Sequence, residues 1–80
     1  MWDFAAMDAK RIAQEFLPGV EFTASVQDYG RGPILDVSTP IKLPLVMLDT
    51  LDYAVSSLGW RGWGYGEQGI AFKPTFVNLG

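Results

Sequence analysis

The chain reads as an α+β two-layer sandwich in the order αββαββ, with two helices on one face of a mainly antiparallel sheet of four to five strands. Three observations carry this reading. Two stretches repeat apolar residues at helical spacing, Phe4 to Phe16 and Leu45 to Leu58. Each is followed by two short strand-like stretches separated by turn formers. Eighty residues leave room for one core, so residues 1–80 form a single domain.

The first helix opens at Asp3, a good N-cap residue, and Trp2 before it is placed to staple onto Met7. Ala5, Ala9, Ile12 and Phe16 make its inner stripe, and Asp8, Lys10, Arg11, Gln14 and Glu15 are left to water. Pro18 pushes Leu17 out of the helical region, and Gly19 completes the turn. Val20, Phe22, Ala24 and Val26 then alternate with Glu21, Thr23, Ser25 and Gln27, the pattern of a strand with one dry and one wet face. Asp28 to Pro33 is rich in turn formers and joins it to a second strand, Ile34 to Ser38.

Thr39 to Leu43 crosses to the second helix, with Pro44 suited to its first turn. Leu45, Leu48, Leu51, Val55 and Leu58 are expected on its inner stripe, and Gly59 at its left-handed stop. A third strand over Trp60 to Gly66 turns through Glu67-Gln68-Gly69 into a fourth at Ile70 to Lys73. Thr75 to Leu79 is expected to be a short fifth strand or a docked tail, and Pro74 makes an edge or bulge the natural context there. Laying Met7–Leu17 over Leu48–Leu58 matches Asp8 with Asp49, Ala13 with Ala54 and Leu17 with Leu58, a faint trace of duplication.

Absences narrow the chemistry. The chain has no histidine and no cysteine, so Ser–His and Cys–His nucleophile pairs cannot form within it, and the common zinc ligand sets are missing. Asp49 and Asp52 stand at i, i+3 on the second helix, a spacing that any solvated helix face shows. Ser56-Ser57 has no base to activate it. We therefore expect no enzyme, no cofactor and no metal. Gly64-Tyr65-Gly66-Glu67-Gln68-Gly69 fits the spacing of a dinucleotide fingerprint. A strand ending in proline follows it where that fingerprint needs a helix, so it reads as a hairpin turn.

The absence of cysteine also removes the staples that small secreted domains rely on. An acid near the start, in Met1-Trp2-Asp3-Phe4, is unlike a leader peptide, and the longest apolar run, Leu45 to Leu48, is far short of a membrane span. The expectation is the cytoplasm, or the host cytoplasm if the source is viral, with no membrane partner. Net charge is −3, which gives no basic footprint for a phosphate backbone and disfavours direct nucleic-acid binding. Apolar residues are 49% of the chain, generous for so small a body. A homodimer or a partner-binding face would be the outlet.

In a regular strand Arg61, Trp63 and Tyr65 face one way, with Trp60, Gly62, Gly64 and Gly66 opposite. Glycines under the helices would leave Trp63 and Tyr65 on the open face beside Arg61 and Lys73. Trp, Tyr and Arg dominate protein–protein hot spots, and they also stack on nucleic-acid bases. The plain alternative is that these aromatics are core. Arg61-Gly62-Trp63-Gly64-Tyr65 resembles the first half of the RNP1 segment of RNA-recognition motifs. It departs from that pattern at Gly66 and Gln68, and the strand follows the second helix instead of lying between the two. Tyr29 and Arg31, in the Asp28–Pro33 loop, are a further candidate contact point. The nine acids are spread along the chain, either as plain solvated groups or converging into a patch that imitates phosphates.

In size, acidity, compact α+β build and lack of catalytic groups, the chain is similar to phage-encoded inhibitors of host defence, the anti-CRISPR proteins among them. That resemblance implies an inhibitor that binds a larger protein or nucleoprotein complex and occupies a nucleic-acid-binding surface. Asp49 and Asp52 would then meet basic groups of the partner, with Trp63 or Tyr65 as anchors. A self-assembling virion or accessory subunit, and a single-strand nucleic-acid binder using Arg61, Trp63 and Tyr65, are the alternatives.

Overall fold

The computed structural model describes residues 3–28, 30 and 32–75. Its elements are α1 (Asp3–Phe16), β1 (Thr23–Asp28), β2 (Pro33–Ser38), α2 (Leu45–Ser56), β3 (Trp60–Gly66) and β4 (Gly69–Pro74). The αββαββ order is the expected one. The four strands form one antiparallel sheet in the order β1-β2-β4-β3, with both helices packed on the same face. Exchanging the two α-β-β halves leaves that order unchanged, because the halves meet at their second strands, β2 and β4. The expected fifth strand begins at Thr75, which forms a bend whose N–H donates to the Gly59 carbonyl at 2.8 Å; the rest of that segment lies outside the described residues.

On α1, Ala9 and Ala13 are fully buried, and their small side chains let the helix lie close to the sheet. Arg11 bridges Asp8 and Glu15 at 3.3 and 3.4 Å on the wet side, exposed contacts that contribute little to stability. Of the expected staple, Met7 is exposed and Trp2 lies outside the described residues. Gly19 has a φ of 91°, and the turn it closes holds the Val20 N–H on the Leu17 carbonyl, so β1 starts at Thr23 and not at Val20. The alternation is otherwise as expected: Phe22 is buried, Ala24 and Val26 are half-buried, and Glu21, Thr23, Ser25 and Gln27 are exposed.

Phe22, Leu35, Val37, Leu43, Leu51, Val55, Trp60, Ile70 and Phe72 form the core with Ala9, Ala13 and Leu17. Each large side chain buried there stabilises the fold by about 1.5–3 kcal/mol relative to exposure. The inner stripe of α2 differs from the expected one. Leu51, Ala54 and Val55 are buried and Leu48 is half-buried, but Leu45 is 77% exposed. Six residues at about 100° each carry Leu45 some 120° away from Leu51, out of the inward sector. The helix stops at Ser56 in i→i+3 bonds, from Leu58 N–H to Val55 and from Gly59 N–H to Ser56, and Gly59 takes the expected left-handed conformation at φ 95°.

The crossing loop is tied to the β3–β4 turn. The N–H groups of Thr39 and Leu43 donate to the Gln68 and Glu67 carbonyls at 2.8 and 2.7 Å. The Gln68 side chain donates to the Pro40 carbonyl at 3.0 Å, and Lys42 pairs with Glu67 at 3.3 Å. Thr39 is buried there, and its hydroxyl has no hydrogen-bond partner among the described residues. The G-x-G-x-x-G stretch is the end of β3, this turn and the start of β4, as its context indicated. Among the described residues, no helix is long and apolar enough to cross a membrane.

Candidate functional site

The strand carrying Arg61, Trp63 and Tyr65 is an outer strand of the sheet, and it is bulged. Arg61 pairs with Lys73 and Gly62 with Phe72, but Gly64 pairs with Ala71, so Trp63 is an extra residue with no partner position. A bulge shifts the alternation by one residue. Tyr65 therefore stands opposite Ile70, a buried core residue, and lies on the helix side of the sheet. Arg61 and Trp63 stay on the open face. The expectation that all three share a face is corrected on this ground, and the separation bars them from gripping one ligand together.

On the open face the Lys73 ammonium sits 4.4 Å from the centre of the Trp63 ring. Such an exposed cation–π contact is worth about 0.5–1 kcal/mol. Arg61 lies beside Lys73 in register. Toward β2 the open face continues through Gly64, Ala71, Ser38 and Ser25, with Asp36 between Ala71 and Ser25, and by alternation Ile34 adds one large apolar side chain to it. Trp63 is 56% exposed, so it is not core.

On the helix side, the Tyr65 hydroxyl donates to Asp52 Oδ2 at 2.9 Å, and Ser56 Oγ donates to Asp52 Oδ1 at 3.1 Å. Both carboxylate oxygens of Asp52 are thus engaged within the chain, which links α2 to β3. The hydrogen bond to Asp52 raises the Tyr65 pKa above its usual 10.0, helped by partial desolvation and by the negative charges of Asp52 and Asp49. Gly62 makes the arrangement possible: a methyl group there would overlap the Tyr65 hydroxyl and lie 2.6 Å from Cζ. Asp49 differs from Asp52 in being exposed to solvent.

Asp49 lies in an apolar surround. Leu45, Val46 and Tyr53 are 77, 69 and 70% exposed, and spacings of three and four residues put them about Asp49 on the outer side of α2. The Phe16 ring, at the end of α1, extends this surface with its centroid 6.0 Å from that of Tyr53. Where α2 begins, Lys42 to Leu45, Leu48 and Tyr65 to Glu67 line an open groove of about 450 Å³. Phe16 and Leu45 were expected on the inner stripes of their helices and are exposed instead, and Val46 and Tyr53 were not singled out in the sequence. The signal for α2 was its composition: Leu-Val-Met-Leu-Asp-Thr-Leu-Asp-Tyr-Ala-Val-Ser has eight apolar residues in twelve, more than one covered side can take up.

Tyr29 and Arg31 lie outside the described residues. Their loop starts with the Gly30 N–H donating to Asp28 Oδ1 at 2.8 Å. Among the described residues, no group of three or more side chains could hold a metal ion. No protein-family model matches the chain, and neither a curated protein nor a solved structure does.

Proposed function

We propose that this is a non-enzymatic binding protein that seats the outer face of α2 on a larger protein or nucleoprotein complex and blocks it, as inhibitors of the anti-CRISPR type do. The observation that carries the reading is that α2 leaves Leu45, Val46 and Tyr53 exposed on its outer side, around Asp49, in addition to the apolar side it buries on the sheet. A cluster of exposed large apolar side chains is the usual mark of an interaction surface, and a partner is the missing cover. Asp49 at the centre of the patch and a net charge of −3 favour a basic partner, the kind of surface that receives nucleic acid. Asp52 and Tyr65, also expected to touch the partner, tie β3 to α2 through their hydrogen bond, and the exposed Tyr65 ring lines the groove beside Leu45. A cytoplasmic site of action belongs to the same reading.

The test is affinity capture from host lysate with the wild type beside Val46→Glu and Asp49→Lys. Both positions are exposed, so the variants should fold, which circular dichroism and melting would verify. A partner retained by the wild type should lose affinity by about 30-fold or more with Val46→Glu, the scale of a hot spot. Equal capture by all three would sink the proposal.

The open face favours a second reading. Trp63, Arg61 and Lys73 lie together on the open face, an aromatic ring beside two cations, an arrangement suited to single-stranded nucleic acid. Oligonucleotides at moderate salt should then quench tryptophan fluorescence in the wild type and less so in Trp63→Ala; no quenching in the wild type ends this reading.

A further inference from the structure

We infer that the outer edge of β1 is a self-association surface, which pairs with β1 of a second copy of this chain to make one continuous eight-stranded sheet. The two sheet edges differ in kind. At one, β3 is interrupted by the bulge at Trp63, carries Arg61 and has glycine at three positions, features that discourage strand addition. At the other, β1 follows β2 without a break over six residue pairs, from Thr23↔Ser38 to Asp28↔Pro33. Thr23-Ala24-Ser25-Val26-Gln27 contains no charge, no proline and no bulge. Among the described residues, no strand lies along its outer side. The one charge of β1 is Asp28 at its end, and a regular edge strand uncharged over its first five residues is a template for another strand.

The core also runs up to this edge. Ala24 and Val26 point to the helix side, where α1 packs on β1, and both remain half-buried. A two-fold axis normal to the sheet would keep the helices of both copies on one side and bring like faces together. That symmetry requires opposed residues of equal parity. Centring the axis on Ser25 sets Ser25 against Ser25 of the second copy, Ala24 against Val26, and Thr23 against Gln27. Apolar then meets apolar on the helix side, polar meets polar on the open side, and no charges are opposed. α2 packs on β3 and β4, the far half of the sheet. Its outer face stays clear in such a dimer, so this inference stands whether or not the proposed partner site does.

Sedimentation across a concentration series, with variants at Ser25, tests it. The wild type should dimerise reversibly. Ser25→Lys places two ammonium groups face to face at the axis and should weaken the dimer about tenfold or more. Ser25 is exposed on the open face, so melting should be unaffected by this change in the monomer. The chain has no cysteine, which makes Ser25→Cys a clean probe. Opposed residues of an antiparallel pair have Cα atoms about 4.5–5.5 Å apart, within disulfide reach. Under mild oxidation Ser25→Cys should cross-link much faster than Thr23→Cys, whose opposite position is Gln27. A wild type that stays monomeric at every concentration overturns the inference. So does a dimer that tolerates Ser25→Lys and cross-links no faster through position 25 than through position 23.

Discussion

Adding one methyl group at each of two glycines of the β3–β4 hairpin separates a movable contact from an immovable one. At Gly69 an added Cβ overlaps the Val37 carbonyl oxygen and lies 2.7 Å from Ser38 Cα and 3.0 Å from Ser38 Cβ. These obstacles belong mainly to the backbone of β2, which is itself held in the centre of the sheet by β1 and β4. The methyl can be accommodated only by displacing β4 from β2 where Ser38 pairs with Gly69. Overpacking of this kind costs about 1–3 kcal/mol, against which removing a strand glycine returns roughly 0.5–1. At Gly62 the obstacles are the end of the Tyr65 side chain and Asp52 Oδ1 at 3.2 Å. Tyr65 is 59% exposed and can swing into water, giving up its bond to Asp52 at a cost of about 0.5–1 kcal/mol for so exposed a contact. The glycine term offsets that loss. Gly69→Ala should therefore lower stability by about 1–2 kcal/mol, while Gly62→Ala stays within about 0.5 of the wild type. Urea unfolding followed by far-UV circular dichroism measures both, with slopes unchanged. If Gly62→Ala proves as costly as Gly69→Ala, or if Gly69→Ala costs nothing, the steric reasoning is wrong.

Two further outcomes follow from single residues. Tyr65 has its pKa raised by Asp52, so its protonated form is the one stabilised by folding, and that contribution is complete below pH 10.0 and disappears as pH climbs through the raised value. The stability gap between wild type and Tyr65→Phe should close on the alkaline side, and Asp52→Asn should return the Tyr65 titration, read by absorbance, toward 10.0; a gap unchanged with pH would refute the linkage. Thr39→Val removes a buried hydroxyl that has no partner among the described residues, and should raise stability by about 1 kcal/mol and the midpoint of thermal unfolding by roughly 4–8 °C. Calorimetry that shows a lower midpoint would mean that the hydroxyl is satisfied in solution.

The helices and strands were readable from residue pattern because each has a local cause. Pro18 with Gly19 ends α1, the alternation from Phe22 to Val26 marks β1, and Gly59 marks the end of α2. The orientation of α2 was less readable. Its apolar residues fit several inward sectors, and only packing against the sheet selects the one with Leu51, Ala54 and Val55 inside and Leu45 outside. The face of Tyr65 was not readable at all. A bulge is a property of two paired strands, and β4 decides it from a distance by pairing Ala71 with Gly64. Of the candidate site residues, Asp49, Arg61, Trp63 and Tyr65 are exposed, Trp63 with Lys73 over its ring and Tyr65 bonded to the half-buried Asp52.

The extra residue in β3 also bears on how such a surface changes in evolution. Loss of Trp63 would leave Gly62 opposite Phe72, Gly64 opposite Ala71 and Tyr65 opposite Ile70, a regular ladder with the tyrosine still on the helix side and the open face stripped of its indole. The open-face aromatic group is thus carried by an added residue in a border strand, so a one-residue deletion there would remove it in a single step while the pairing that seats Tyr65 stays as it is.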